Sequence, residues 1–123
     1  MRYLLALLFV IQIQIFYAQT EQNTVVVAAT LSEFENNLSQ NSLSITFPSS
    51  ADVVKITSTA DFYTDYFTVQ YNETTRVAKS HYLNNENISR LVTVRFLFSN
   101  NINFVSFNGN TFENTTFFEQ YLK

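Results

Sequence analysis

Between residues 66 and 83 the chain alternates. Phe67, Val69 and Tyr71 are separated by Thr68 and Gln70, the turn formers Asn72-Glu73-Thr74-Thr75 interrupt, and Arg76 to Leu83 resumes as a second run. A period of two sends successive side chains to opposite faces of a sheet, so two such runs joined by a turn predict a β-hairpin with one apolar and one polar face. The same alternation at Leu43, Ile45 and Phe47, broken by Ser44 and Thr46, predicts a half-buried strand that Pro48 stops. Asn103 to Phe107 reads as a further strand. Asn108-Gly109, which holds the chain's only glycine, predicts a tight turn after which Asn110-Thr111-Phe112 pairs back.

Helical spacing fills the intervals. Val53, Ile56, Ala60 and Tyr63 recur at three- and four-residue steps, predicting a helix over Ser50 to Tyr66 with Ser49-Ser50 at its N-cap and Asp52 in its first turn. Ile88, Leu91, Val92, Arg95, Phe96 and Ser99 predict a second helix after the break at Asn84-Asn85-Glu86-Asn87, and Asn114 is placed to cap a last helix ending at Lys123. Upstream, Val25 to Ala29 forms a strand or extended arm. It leads into a short helix over Leu31 to Leu38 whose Thr30 and Glu33 make a capping-box pattern. Val69-Gln70-Tyr71-Asn72 is echoed by Val105-Ser106-Phe107-Asn108, and the same offset lays the Leu43–Phe47 strand on Lys79–Leu83. The expected fold is therefore α+β: a ferredoxin-like βαββαβ core with an extra N-terminal arm and helix and a C-terminal helix.

The first residues constrain compartment. Arg2 precedes eight apolar residues, Leu4 to Ile11, and Gln12 and Gln14 end that run well short of the roughly 20 residues that span a bilayer. A signal peptide over residues 1–18, cut between Ala18 and Gln19, is expected, followed by one domain over residues 19–123 in the periplasm or outside the cell. The chain has no cysteine, which removes disulfides, thiolate chemistry and lipidation at cysteine. Arg2 is one of seven basic side chains, so the processed chain carries six against ten acidic ones, a net charge of −4 with no basic cluster. That pattern excludes nucleic acid and, after signal cleavage, the membrane as expected partners.

With these segments in place, the sequence resembles a loose group of small, exported, uncharacterised proteins of the Bacteroidota. The likeness is carried by the Ala18-Gln19 signal end, the hairpin Tyr66–Leu83, the helix Asn87–Ser99, the strand with Asn108-Gly109, and the closing Phe117-Phe118-Glu119-Gln120-Tyr121-Leu122. The fold it implies is similar to heavy-metal-associated domains, which bind metal through two cysteines in the loop opening the first helix. Here that loop is Pro48-Ser49-Ser50-Ala51-Asp52, and without cysteine the metal function does not carry over.

Few residues offer chemistry. His81 is the only histidine, sharing a strand face with Val77 and Lys79 and lying opposite Thr68 and Gln70 if the hairpin closes as read. A zinc site needs three or four ligands, and no cysteine or second histidine exists to help. Asp61 and Asp65 would share one face of the Ser50–Tyr66 helix, where a solvated acidic face is the simpler reading, as it is for Glu33 and Glu35. A single glycine rules out a hydrolase elbow and a phosphate-cradling loop. The aromatics are conspicuous, 13 Phe and 7 Tyr without Trp, and serve either the core or an exposed patch for a partner. The expectation is a non-catalytic exported binding or interaction module, without cofactor or metal, meeting a protein partner or a second copy of itself. Its weak candidate contacts are Thr68, Gln70, Lys79 and His81. Two alternatives stand beside it: a protease-propeptide or inhibitor-like domain, and a small enzyme in which His81 converges with Asp61 or Asp65.

Overall fold

The computed structural model describes residues 22–84 and 86–123, so the expected signal segment and its cleavage point lie outside the described residues. In chain order the elements are β1 (Thr24–Ala28), α1 (Leu31–Ser39), β2 (Ser42–Thr46), α2 (Val53–Asp61), β3 (Phe67–Asn72), β4 (Val77–Tyr82), α3 (Asn87–Ser99), β5 (Phe104–Phe107), β6 (Asn110–Glu113) and α4 (Asn114–Phe117), which continues as a π-helical turn over Phe118–Leu122. All six strands join one sheet in the order β3-β4-β2-β1-β5-β6. Neighbours are antiparallel except β1 and β5, which run parallel.

The class is α+β, as the alternating patterns require, but the strand order departs from the ferredoxin-like expectation. β2, α2, β3 and β4 form a split βαβ unit in which β4 lies between β2 and β3. A ferredoxin-like sheet would then set β5 directly beside β2. Instead the segment expected to be an arm, β1, sits between them, antiparallel to β2 through Val26↔Thr46 and parallel to β5 through Val25↔Val105. The reason is burial: Val25, Val27 and Ala28 are all buried, and an arm outside the sheet could not cover them.

The helices of the described residues, α1 to α4, pack on one face of this sheet. Phe34 of α1 meets Phe107 of β5 at 4.8 Å between ring centroids, and Phe117 of α4 reaches the same ring at 5.5 Å. Phe96 of α3 lies 6.0 Å from Phe47 and 5.4 Å from Phe67, and Tyr121 is 5.6 Å from Phe112 of β6. The rings are tilted or edge-on, the arrangement that aromatic quadrupoles favour, and each buried ring contributes about 2 kcal/mol through its area alone. Most of the described aromatic residues are thus core. The exceptions include Phe62, 85% exposed at the end of α2, and Phe98 on the outer side of α3. Val94 and Leu97, off the main apolar stripe of α3, are buried, so that helix is covered on more than one side.

Local chemistry sets the boundaries. Thr30 caps α1 by accepting from Glu33 N at 3.2 Å. Asp52, expected inside the first turn of α2, is its N-cap, accepting from Val54 N at 3.0 Å and Lys55 N at 3.4 Å. A carboxylate accepts from two free amides at once, which a serine at 49 or 50 is too early to do. The helix stops at Asp61 rather than Tyr66, because amides 66 and 67 turn back onto Tyr63 O to start β3. Asp65 therefore lies outside the helix. Asn114, expected to cap α4, is its first residue. Its buried side chain donates to Ile102 O at 2.6 Å, tying the helix start to the loop before β5. Among the described residues, no helix is long and apolar enough to cross a membrane.

Candidate functional site: the uncovered sheet face

The turn between β3 and β4 fixes the register of the residues singled out from the sequence. Asn72 Oδ1 accepts from Thr74 N at 2.9 Å and Thr75 N at 3.2 Å, Arg76 N donates to Asn72 O at 2.7 Å, and Arg76 takes a left-handed φ of 62°. The resulting pairing sets Thr68 opposite His81 and Gln70 opposite Lys79. β2 extends both pairs, Ser42 beside His81 and Ser44 beside Lys79. The four candidates therefore form one exposed cluster of two cross-strand pairs, on the face opposite the helices.

That face continues across the whole sheet. Pairwise registers link Asn72, Val77, Thr46, Val26, Ser106 and Thr111 into a single row, one residue from each of the six strands. Val26, at the middle, is 45% exposed. Among the described residues no element covers this side. At its hairpin end is a shallow depression of about 630 Å³, which Gln70, Asn72, Val77 and Lys79 help to line.

Other candidates are separated from this cluster. Asp61 lines a groove of about 210 Å³ between α2 and β3, together with Val69 and Tyr71, whose side chains point to the helix side of the sheet. His81 points to the other side, so Asp61 and His81 do not converge. Asp65 is exposed in the turn after α2, and Glu33 and Glu35 are exposed on α1. No group of three or more His, Asp or Glu side chains capable of holding a metal occurs among the described residues. Leu122 is 1% exposed and its carbonyl accepts from Arg90 Nη1 at 3.3 Å, which ties the last turn to α3.

Two phenols on the helix side of the sheet are perturbed. Tyr82, deep under α3, bonds Thr93 Oγ1 at 2.6 Å, and burial above all pushes its phenol up to about 12, against smaller lowering by Thr93, Arg90 and Ser80. Tyr71 is raised chiefly by burial, with Arg76 lowering and Glu73 raising it. The row through Val26 escaped the sequence reading because it depends on β1 lying inside the sheet. The alternation of Val25, Val26 and Val27 had no polar residue to reveal it. No protein-family model matches this chain, and neither curated proteins nor solved structures include a significant match.

Proposed function

We propose that the chain is an exported, non-catalytic interaction module, periplasmic or secreted after loss of residues 1–18, that meets a protein partner or a second copy of itself through the helix-free face of its sheet. The observation that carries this reading is the continuous row from Asn72 to Thr111 flanked by the Thr68–His81 and Gln70–Lys79 pairs. Short hydroxyl and amide side chains surround the exposed Val26, with the half-buried Val77 and Phe104 on the same face. This face offers hydrogen bonds along its length, and the depression at its hairpin end is shallow and open to solvent. The signal pattern over residues 1–18 supports the compartment, and it is also one of the features that carry the resemblance to exported proteins of the Bacteroidota.

Lysine acetylation footprinting tests the proposal. The chain has only Lys55, Lys79 and Lys123, and Lys79 alone lies on this face. In the concentrated exported fraction Lys79 should be protected relative to dilute purified chain, while Lys55 and Lys123 react equally in both. Protection that reappears with concentrated purified chain identifies a second copy as the occupant. Equal reactivity of all three lysines in every sample would show the face to be uncovered and remove the basis of the reading.

A further inference from the structure

The edge of the sheet at β3 is built differently from the edge at β6. β6 is four residues long and carries Glu113, and charge and shortness are the usual ways a sheet edge is kept from pairing. β3 is six residues long and reads Phe-Thr-Val-Gln-Tyr-Asn, with no charge and no proline. Leu83 N donates to Tyr66 O at 3.1 Å, which fixes the alternation of the ladder. The backbone groups of residues 68, 70 and 72 bond β4, and those of Val69 and Tyr71 point away from it. Phe67 N is already taken, by Tyr63 O.

Directly beside those outward groups runs the groove between α2 and β3. Its lining is mixed: Val53, Ala60 and Val69 give it an aliphatic side over the fully buried Ile56, and Thr57, Tyr71, Asp61 and Glu73 complete it with no basic side chain among them. A residue hydrogen-bonded opposite Val69 or Tyr71 in an added strand points its own side chain to the same face as theirs, and so into this groove. The two features together describe β-strand addition, in which main-chain bonds give attachment and a side-chain slot gives selectivity.

We propose that β3 and α2 form a second docking site, separate from the helix-free face, that takes an extended peptide segment of another protein bearing an aliphatic side chain and, two residues on, a lysine or arginine. The aliphatic group fills the groove and the cation faces Asp61 and Glu73. The same carboxylates disfavour a second copy of this acidic chain, because a symmetric β3–β3 pairing would bring four of them together.

The test is selection of phage-displayed random heptapeptides on the immobilised full chain, followed by anisotropy titration of the enriched sequence as a dye-labelled peptide. Val69→Pro deletes one outward N–H, a change tolerated at an edge because no ladder bond to β4 is lost. Asp61→Arg reverses one rim charge at an exposed position. The expected results are enrichment of alternating sequences with an aliphatic and a basic residue two apart, at least tenfold weaker binding to V69P, and at least fivefold weaker binding to D61R. D61R should also come to prefer the peptide with glutamate in place of the base. If V69P does not fold, the charge reversal alone decides. Absence of enrichment, binding indifferent to both variants, or dimerisation of the unliganded chain abolished by V69P would each overturn the proposal. Because Lys79 is not part of this site, its footprint reports on the other face independently.

Discussion

Replacing Tyr82 by Phe removes one oxygen from the centre of the molecule and gives a stability change whose sign depends on pH. Tyr82 is 2% exposed, and its hydroxyl bonds Thr93 Oγ1 at 2.6 Å, also in dry surroundings. Losing that bond costs about 1 to 1.5 kcal/mol near neutrality, the range for a buried neutral pair with one partner deleted. The folded phenol titrates at about 12 against 10.0 for the exposed group. Above pH 10 the unfolded chain gives up this proton while the folded chain keeps it. The stabilisation is therefore complete below pH 10 and is lost between 10 and 12. The loss is about 1.4 kcal/mol at pH 11 and approaches about 2.7 kcal/mol once both states are ionised. The variant does not have this term. Urea unfolding of both chains from pH 7 to pH 11.5 should show wild type more stable at neutrality, the two curves meeting near pH 11, and the variant more stable beyond it. Every other side chain is the same in the two chains, so its contribution cancels in the difference. A gap that stays constant across the range would refute the assignment of the raised phenol to residue 82.

Three further changes probe separate links in the fold. Phe96→Ala removes the ring shared by Phe47 and Phe67 and should cost about 3 to 5 kcal/mol in chemical unfolding. Gly109→Ala should cost about 1 kcal/mol. Gly109 has a φ of 80°, and an added Cβ would meet nothing within 4 Å, so the penalty for alanine is one of backbone conformation. Asn114→Ala deletes the donor to the buried Ile102 carbonyl and should lower stability by about 1 to 3 kcal/mol, measured as a shift in urea midpoint at unchanged slope.

The two hairpins and α3 were readable in the sequence because their signals are local. In the β3–β4 hairpin alternation and turn chemistry agree, so the partners of Thr68, Gln70, Lys79 and His81 followed from position alone. In α3 and the β5–β6 hairpin the helical period and Asn108-Gly109 carry the same kind of information. What stayed hidden is long-range. Three successive valines at 25 to 27 suit a strand buried on either face, and nothing near them specifies which strands they join. The length of α2 was overestimated because Tyr63 keeps the apolar spacing after the helix ends, its ring packing 6.3 Å from Phe67 from within a turn. The groove beside β3 was invisible for a related reason, since it exists only where α2 stops short of covering the edge.

The place of β1 also has a consequence in time. Its parallel partner, β5, begins 80 residues further on, Thr24 pairing with Phe104, so the first of the described strands to be synthesised pairs with one of the last. Such a contact cannot form by local zipping, and the loop closure it requires slows completion of the sheet. Until Phe104 to Phe107 are available, Val25 and Val27 have no partner on that side. In this topology the sheet cannot close until the far end of the chain is in place.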